Sequence, residues 1–157
     1  MMNIKIRKAE INDMAAVHQL IVDLAIYEKA QHEVKSTVES MQIDGFDKGL
    51  FEVLLAEDDG GNAVGIALYY YAYSTWKGKM IYLDDLVVNE VHRKQGIGKL
   101  LFDELVKTAL NNDVNQLRWH VLDWNEPAIN FYNKIKANLD SEWIKCNFER
   151  TDLENYQ

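Results

Sequence analysis

At 157 residues the chain has the length of one domain, spanning 1–157, and a tandem architecture is nearly excluded. With 48% hydrophobic, 11% aromatic and 27% charged residues, it carries the apolar content of a buried core rather than the composition of a disordered chain. Lys+Arg 17 against Asp+Glu 25 gives a formal net charge of -8, which argues against nucleic acid or anionic lipid as partners and favours cationic ones.

The opening run Met1-Met2-Asn3-Ile4-Lys5-Ile6-Arg7 lacks the apolar segment of a signal peptide, and the longest apolar stretch, 64–73, falls short of the ~20 residues of a membrane span. Ile4-Lys5-Ile6-Arg7 alternates like a half-buried strand. Asn12 and Asp13 then offer caps to a helix whose Met14, Val17, Leu20, Ile21 and Leu24 recur at helical spacing. Ser36-Thr37-Val38-Glu39 has the S-x-x-E form of a capping box and predicts a short helix through Met41, broken by Asp44-Gly45-Phe46.

Residues 51–57 and 63–73 are strand-like, and Asp58-Asp59-Gly60-Gly61-Asn62 between them predicts a hairpin of antiparallel neighbours. After the turn Trp76-Lys77-Gly78-Lys79, residues 80–88 read as a long strand interrupted by Asp84 and Asp85. A polar, basic stretch and Gly96-Ile97-Gly98 lead into a helix with Leu101, Phe102, Leu105, Val106 and Ala109 on one face, ending near Asn111-Asn112. Residues 117–122 form a strand, Asn125-Glu126-Pro127 starts a short helix with Ile129, Phe131 and Tyr132, and 143–148 is the last strand. The order implies an α+β fold with a mixed, mostly antiparallel central sheet flanked by helices.

Cys146 is the only cysteine, so no intrachain disulfide, thiol zinc cluster or CxxC pair can form, which fits a reducing, cytoplasmic setting. Histidines 18, 32, 92 and 120 show no H-x-x-x-H spacing and no carboxylate partner at ligand spacing, so no metal is expected. His120 stands on a strand beside the cleft, where it either faces substrate or is structural.

Arg93-Lys94-Gln95-Gly96-Ile97-Gly98-Lys99 carries the most chemistry. A basic, glycine-punctuated loop before a helix presents N–H groups, a positive helix end and cationic side chains to a phosphate. A Walker loop is ruled out because Gly98-Lys99 is followed by Leu100, and a dinucleotide fingerprint needs a glycine where Leu101 stands.

The segment reads R-x-x-G-x-G directly after a strand ending Leu86-Val87-Val88, and resembles the acetyl-CoA pyrophosphate loop of the GCN5-related N-acetyltransferase (GNAT) superfamily, whose element order also matches. Tyr69-Tyr70-Tyr71, Tyr82-Leu83-Asp84-Asp85, Val121-Leu122-Asp123-Trp124-Asn125-Glu126-Pro127 and Ile129-Asn130-Phe131-Tyr132 resemble the diamine (spermidine/spermine) and thialysine acetyltransferase branch over nearly the whole chain. Ser74-Thr75-Trp76-Lys77-Gly78 leans toward its thialysine member. The resemblance implies acetyl-CoA as cofactor and a homodimer. It implies that backbone groups of Leu86, Val87 and Val88 pair with the pantetheine arm. Arg93, Lys94, Gln95, Gly96, Ile97, Gly98 and Lys99 would hold the pyrophosphate, and Asn125, Pro127 and Ala128 would lie along the cofactor's far side.

Acetyl transfer to an amine needs a neutral nitrogen, a donor for the developing oxyanion and an acid for the departing thiolate. Tyr132, four residues past Ala128 and on the same helix face, resembles the family's general acid; a core tyrosine is the other reading. Asp84 and Asp85 point to opposite faces of a regular strand, and by resemblance Asp84 attracts the ammonium and passes its proton out through water. A bulge with solvated acids is the alternative there. Tyr27 and Glu28 match a pair lining the amine site in the same branch. Trp76 is a further candidate contact to substrate or to a dimer partner, and Glu142 is carried over on the substrate side.

The chain departs from the family where Lys136 replaces the glycine that stops the tyrosine-bearing helix, where 137–143 is shortened, and where Lys94 stands for a loop glycine. The function implied is acetyl transfer from acetyl-CoA directly to a primary amine of a small cationic metabolite, a diamine, polyamine or thialysine-like amino acid. Acetylation of a protein or peptide, and a non-catalytic acyl-CoA-binding module, are the alternatives.

Overall fold

The structure is a computed structural model that describes residues 3–157; Met1 and Met2, the start of the run tested for a signal peptide, lie outside the described residues. The chain forms two compact units, one ending at His120 and one beginning at Val121.

The first unit is built on a five-stranded sheet of order β1-β2-β3-β4-β5. The strands β1 (Lys5–Lys8), β2 (Glu52–Glu57), β3 (Ala63–Ser74) and β4 (Gly78–Val88) are antiparallel neighbours, while β5 (Gln116–Arg118) runs parallel to β4. With the helices below, this is the α+β fold that the element order implies. The β2–β3 hairpin closes because the Asp58 carboxylate accepts from the backbone N–H groups of Gly60 at 2.9 Å and Asn62 at 2.8 Å.

One sheet face is covered by α1 (Met14–Tyr27) and the short α2 (Val38–Gln42). Met14, Val17 and Leu20 recur at helical spacing and bury with Met41 against Val53, Leu55, Ile66, Leu68 and Val87. Asp13 accepts from the Glu10 N–H at 2.7 Å and pairs with Arg7 at 2.7 Å, and Arg7 also holds Glu57 at 2.7 Å. The start of α1 is thereby tied to β1 and β2. The long helix α3 (Ile97–Asn111) buries Ile97, Leu101 and Leu105, each worth about 2 kcal/mol of apolar burial. Gly65 allows it close to the sheet, since a Cβ there would stand 3.2 Å from Leu101 Cδ1.

Local details differ from the sequence expectations. The capping box of α2 is Thr37 with Ser40, not Ser36 with Glu39, because Ser40 Oγ accepts from the Thr37 N–H at 2.9 Å and Thr37 Oγ1 accepts in return at 3.1 Å. Asp44-Gly45-Phe46 does not break the helix but continues it as a wider π turn over Ile43–Asp47. The strand expected at 117–122 is only three residues long, because beyond Arg118 the chain no longer pairs with β4.

The second unit holds α4 (Glu126–Lys134) and α5 (Arg150–Asn155). Asn125 caps α4 by accepting from the Ala128 N–H at 3.4 Å, and Pro127 sits in the first turn, where its missing donor costs nothing. The helix stops without the family glycine. Lys136 itself adopts the left-handed conformation at φ 62, with its N–H on the Asn133 carbonyl and the Ala137 N–H on the Tyr132 carbonyl, both at 3.0 Å. The strand expected over 143–148 is absent. Every residue from 141 to 149 is exposed, so the stretch has neither a covered face nor a ladder partner among the described residues.

Candidate active site

The two edges of β4 are used unequally. One pairs with β3 from Gly78 to Val88, whereas the other pairs with β5 only at Met80–Tyr82. From Leu83 to Val88 that second edge has no strand partner among the described residues, leaving the Leu86-Val87-Val88 segment extended along an opening between β4 and β5. An extended ligand arm can add to such an edge as a further strand does.

The loop after β4 turns twice through left-handed backbone, at Lys94 (φ 62) and Gly96 (φ 82). A Cβ on Gly96 would meet nothing within 4 Å, so glycine is favoured there by backbone conformation and not by crowding. Gly96 contributes no side-chain cap, so the first N–H groups of α3, on Ile97, Gly98 and Lys99, remain free of a capping side chain at the positive helix end. Arg93 donates from Nε to the Val88 carbonyl at 3.2 Å, and its guanidinium lies 5.0 Å from the Tyr27 ring centroid. Gln95 donates to the Val91 carbonyl at 3.4 Å. Lys99, expected to face phosphate, is paired along the helix with Asp103 at 2.6 Å. Lys94 is exposed.

The two acids of β4 do not sit in a regular strand. Leu68 faces Asp85 and Tyr69 faces Leu83, so Asp84 is the extra residue of a β-bulge. Asp84 is exposed, but the acids are not both solvated as a plain bulge would leave them. The Asp85 carboxyl is pushed up to about 7, first by burial and then by the charges of Asp84 and Glu28. Glu28 terminates α1, and burial pushes its carboxyl upward too. Beside these acids Tyr70 and Tyr82, cross-strand partners, stack at 5.3 Å with an interplanar angle of 26°. The Tyr82 hydroxyl is hydrogen bonded to His120 Nδ1.

The first unit thus brings Glu28 and the two aspartates together, with aromatic faces alongside: a place for a cation. Asp85, Tyr70 and Tyr82 are members that sequence reasoning did not select. Two adjacent acids in an apolar strand were the only available signal. Tyr27 lies under Arg93, on the side of the loop that follows β4. Trp76 is 82% exposed in the β3–β4 turn, and the strand from Gly78 to Asp84 places about 20 Å between that turn and the bulge. The structure therefore does not bring Trp76 to the acids.

In the second unit Tyr132 is buried on α4, its ring 5.4 Å from Phe131 in an edge-on arrangement. Ala128, one turn earlier, shares its face, and Asn125 is buried at the helix start. Glu142 is exposed, and its N–H donates to Asp140 at 2.9 Å.

The Acetyltransferase (GNAT) family profile matches residues 15–136. The chain belongs to the GNAT acetyltransferase family. The thialysine N-epsilon-acetyltransferase of Mus musculus is 38% identical to this GNAT protein over 160 residues, covering 95% of this chain and 94% of that one. Spermidine/spermine N(1)-acetyltransferase-like protein 1 of Homo sapiens is 34% identical over 159 residues, covering 95% of this chain and 23% of its own length. Among solved structures, an integron cassette protein from V. cholerae superposes with a TM-score of 0.78 at 22% identity, covering 96% of this chain and 95% of that one. The aminoglycoside N-acetyltransferase AAC(6')-Iy in complex with CoA superposes with a TM-score of 0.75 at 14% identity, covering 96% and 97%. These likenesses carry the GNAT fold. The protein is an acetyl-CoA-dependent N-acetyltransferase. Its residues fit that donor: an unpaired β4 edge for an extended arm, and a left-handed glycine that opens the N–H groups of α3 to a pyrophosphate.

Proposed function

We propose that this GNAT enzyme transfers acetyl directly to a primary amine of a small cationic metabolite: a diamine, a polyamine or a thialysine-like amino acid. The convergence of Glu28, Asp84 and Asp85 beside the Tyr70–Tyr82 stack carries the reading, because three carboxyls with aromatic faces select a cation. The likeness to the mouse thialysine N-epsilon-acetyltransferase and the human spermidine/spermine N(1)-acetyltransferase-like protein 1 supports it.

Acetyl-CoA, when bound, supplies an acetyl group activated as a thioester. Backbone groups of Leu86, Val87 and Val88 hold its arm, and Arg93 with the N–H groups of Ile97, Gly98 and Lys99 holds its pyrophosphate; Lys94 and Gln95 complete that loop. Asn125, Pro127 and Ala128 flank the cofactor. Glu28 and Asp84 attract the ammonium. Asp85 accepts the proton that the ammonium must lose before attack, since a carboxyl near 7 lies far closer to an amine of pKa ~10 than an ordinary aspartate near ~3.9 does. Tyr132 donates its hydroxyl proton to the departing thiolate and recovers one from solvent, to which the nitrogen releases its second proton as the amide forms. Attack is direct. The sole cysteine, Cys146, is exposed, and its thiol donates to the Ile144 carbonyl at 3.8 Å, not to a base. Exposed Tyr73 and Trp76 on the β3–β4 turn offer an apolar surface for a homodimer. No described helix is long and apolar enough to cross a membrane.

The test is release of free thiol from acetyl-CoA in the presence of putrescine, spermidine, thialysine, lysine or a basic peptide. Turnover with one or more small amines is expected. Turnover with the peptide alone would move the reading to protein acetylation, and tight acetyl-CoA binding without turnover would make the protein a binding module.

A further inference from the structure

His120 is the last residue of the first unit, two positions past the end of β5. At Arg118 the chain still pairs with β4, opposite Tyr82, and then leaves it. His120 reaches back across the opening, and its Nδ1 is hydrogen bonded to the Tyr82 hydroxyl with the two rings 5.7 Å apart. Tyr82 in turn stacks on Tyr70 and precedes the bulged Asp84 by two residues. Burial first, then Tyr70 and Asp84, push the Tyr82 phenol upward, so it keeps its proton. The bond forms with either imidazole tautomer, since the phenol both donates and accepts.

We propose that His120 is a positioning residue of the amine site: it holds Tyr82, and through it Tyr70, as a fixed aromatic wall beside Asp84 and Asp85, against which the carbon chain of the acceptor amine lies. The inference rests on the small-amine reading and assigns part of its substrate specificity to a side chain outside the sheet. An unanchored Tyr82 would have to be ordered by each substrate at an entropic cost, which the histidine removes in advance.

The experiment compares His120→Leu, His120→Asn, Tyr82→Phe and the double variant H120L/Y82F, with putrescine and thialysine as probes. His120→Leu and Tyr82→Phe are each expected to raise KM and the calorimetric Kd for putrescine about five- to tenfold, one hydrogen bond's worth, with KM for acetyl-CoA within about twofold of wild type. His120→Asn restores binding because its carboxamide, which both donates and accepts, replaces the Nδ1 bond. The double variant is no worse than either single one, since both remove the same bond. His120 is exposed and Tyr82 half-buried, so the variants are expected to fold, which far-UV circular dichroism and Tm verify.

Wild-type amine affinity in His120→Leu, or additive losses in the double variant, overturns the proposal. Failure of the functional reading is distinct: wild-type protein that binds putrescine without releasing thiol overturns acetyl transfer, while His120 is still judged by the Kd values. Wild-type protein that binds neither probe overturns both.

Discussion

The guanidinium of Arg93 stacks 5.0 Å from the ring centroid of Tyr27 while its Nε is held by the Val88 carbonyl at 3.2 Å. The last residue of α1 and the last of β4 therefore fix a cation of the phosphate loop, and its two terminal nitrogens keep no hydrogen-bond partner among the described residues. In its proposed role Arg93 meets a pyrophosphate already ordered. Tyr27→Ala should raise the Kd for acetyl-CoA about three- to fivefold, and Tyr27→Phe should leave it unchanged, because the ring face and not the hydroxyl makes the contact. Calorimetry reads both, and equal affinity in Tyr27→Ala would remove the stack from cofactor binding.

The Asp85 carboxyl is pushed up to about 7 by burial and by the charges of Asp84 and Glu28, so it ionises near neutral pH. In its proposed role as acceptor of the amine proton it must be a carboxylate, so kcat/KM taken against total amine, nearly all of it ammonium near neutral pH, should rise with pH through about 7. Asp85→Asn should abolish that limb and lower kcat by on the order of 10²-fold. Asp84→Asn should chiefly raise the KM for the amine. An Asp85→Asn profile that overlays the wild type would exclude Asp85 from proton transfer.

Much of this was legible in the residues. The β2–β3 hairpin follows from Asp58 and two glycines, and R-x-x-G-x-G after Val88 marks a loop that does stand at a helix N-terminus. What escaped depends on partners far away in sequence. The bulge at Asp84 is set by how Leu68 and Tyr69 register on β4, and no local pattern reveals which of two adjacent acids is extruded and which is buried. The apolar residues over 143–148 read as a strand, but a strand also needs a neighbour, and local composition says nothing about that. The missing glycine at 136 suggested a missing helix stop, whereas the backbone takes the same left-handed turn with lysine.

The same carboxyl has a stability consequence of definite sign. Folding raises the Asp85 pKa from an unfolded value near ~3.9 to about 7, so between these pH values the native state binds more protons than the unfolded one and stability falls as pH rises. Above 7 the loss is complete. Asp13, held below its usual range first by its hydrogen bond with Arg7, contributes in the opposite sense at lower pH, so the wild-type curve mixes the two. The difference from Asp85→Asn isolates Asp85: the variant should gain at most roughly 4 kcal/mol at pH 8 and almost nothing at pH 4. Denaturant unfolding at the two pH values measures it, and an equal gain at both would show that ionisation is not the cause.

Lys136 carries a backbone conformation that costs an L-residue about 1 kcal/mol and costs glycine nothing. Its side chain is not what closes α4. The stop is made by two main-chain hydrogen bonds, from Lys136 to Asn133 and from Ala137 to Tyr132, and both survive replacement of the side chain. Lys136→Gly should therefore stabilise the protein, less the extra freedom glycine adds to the unfolded chain, by about 0.5–1 kcal/mol. For a chain of this size that corresponds to a rise in Tm of roughly 1–4 °C. Lys136→Ala keeps the strained conformation and should give no gain. If Lys136→Gly lowers Tm instead, the lysine side chain contributes more than its backbone costs, and the helix end is held by more than the two hydrogen bonds at its close.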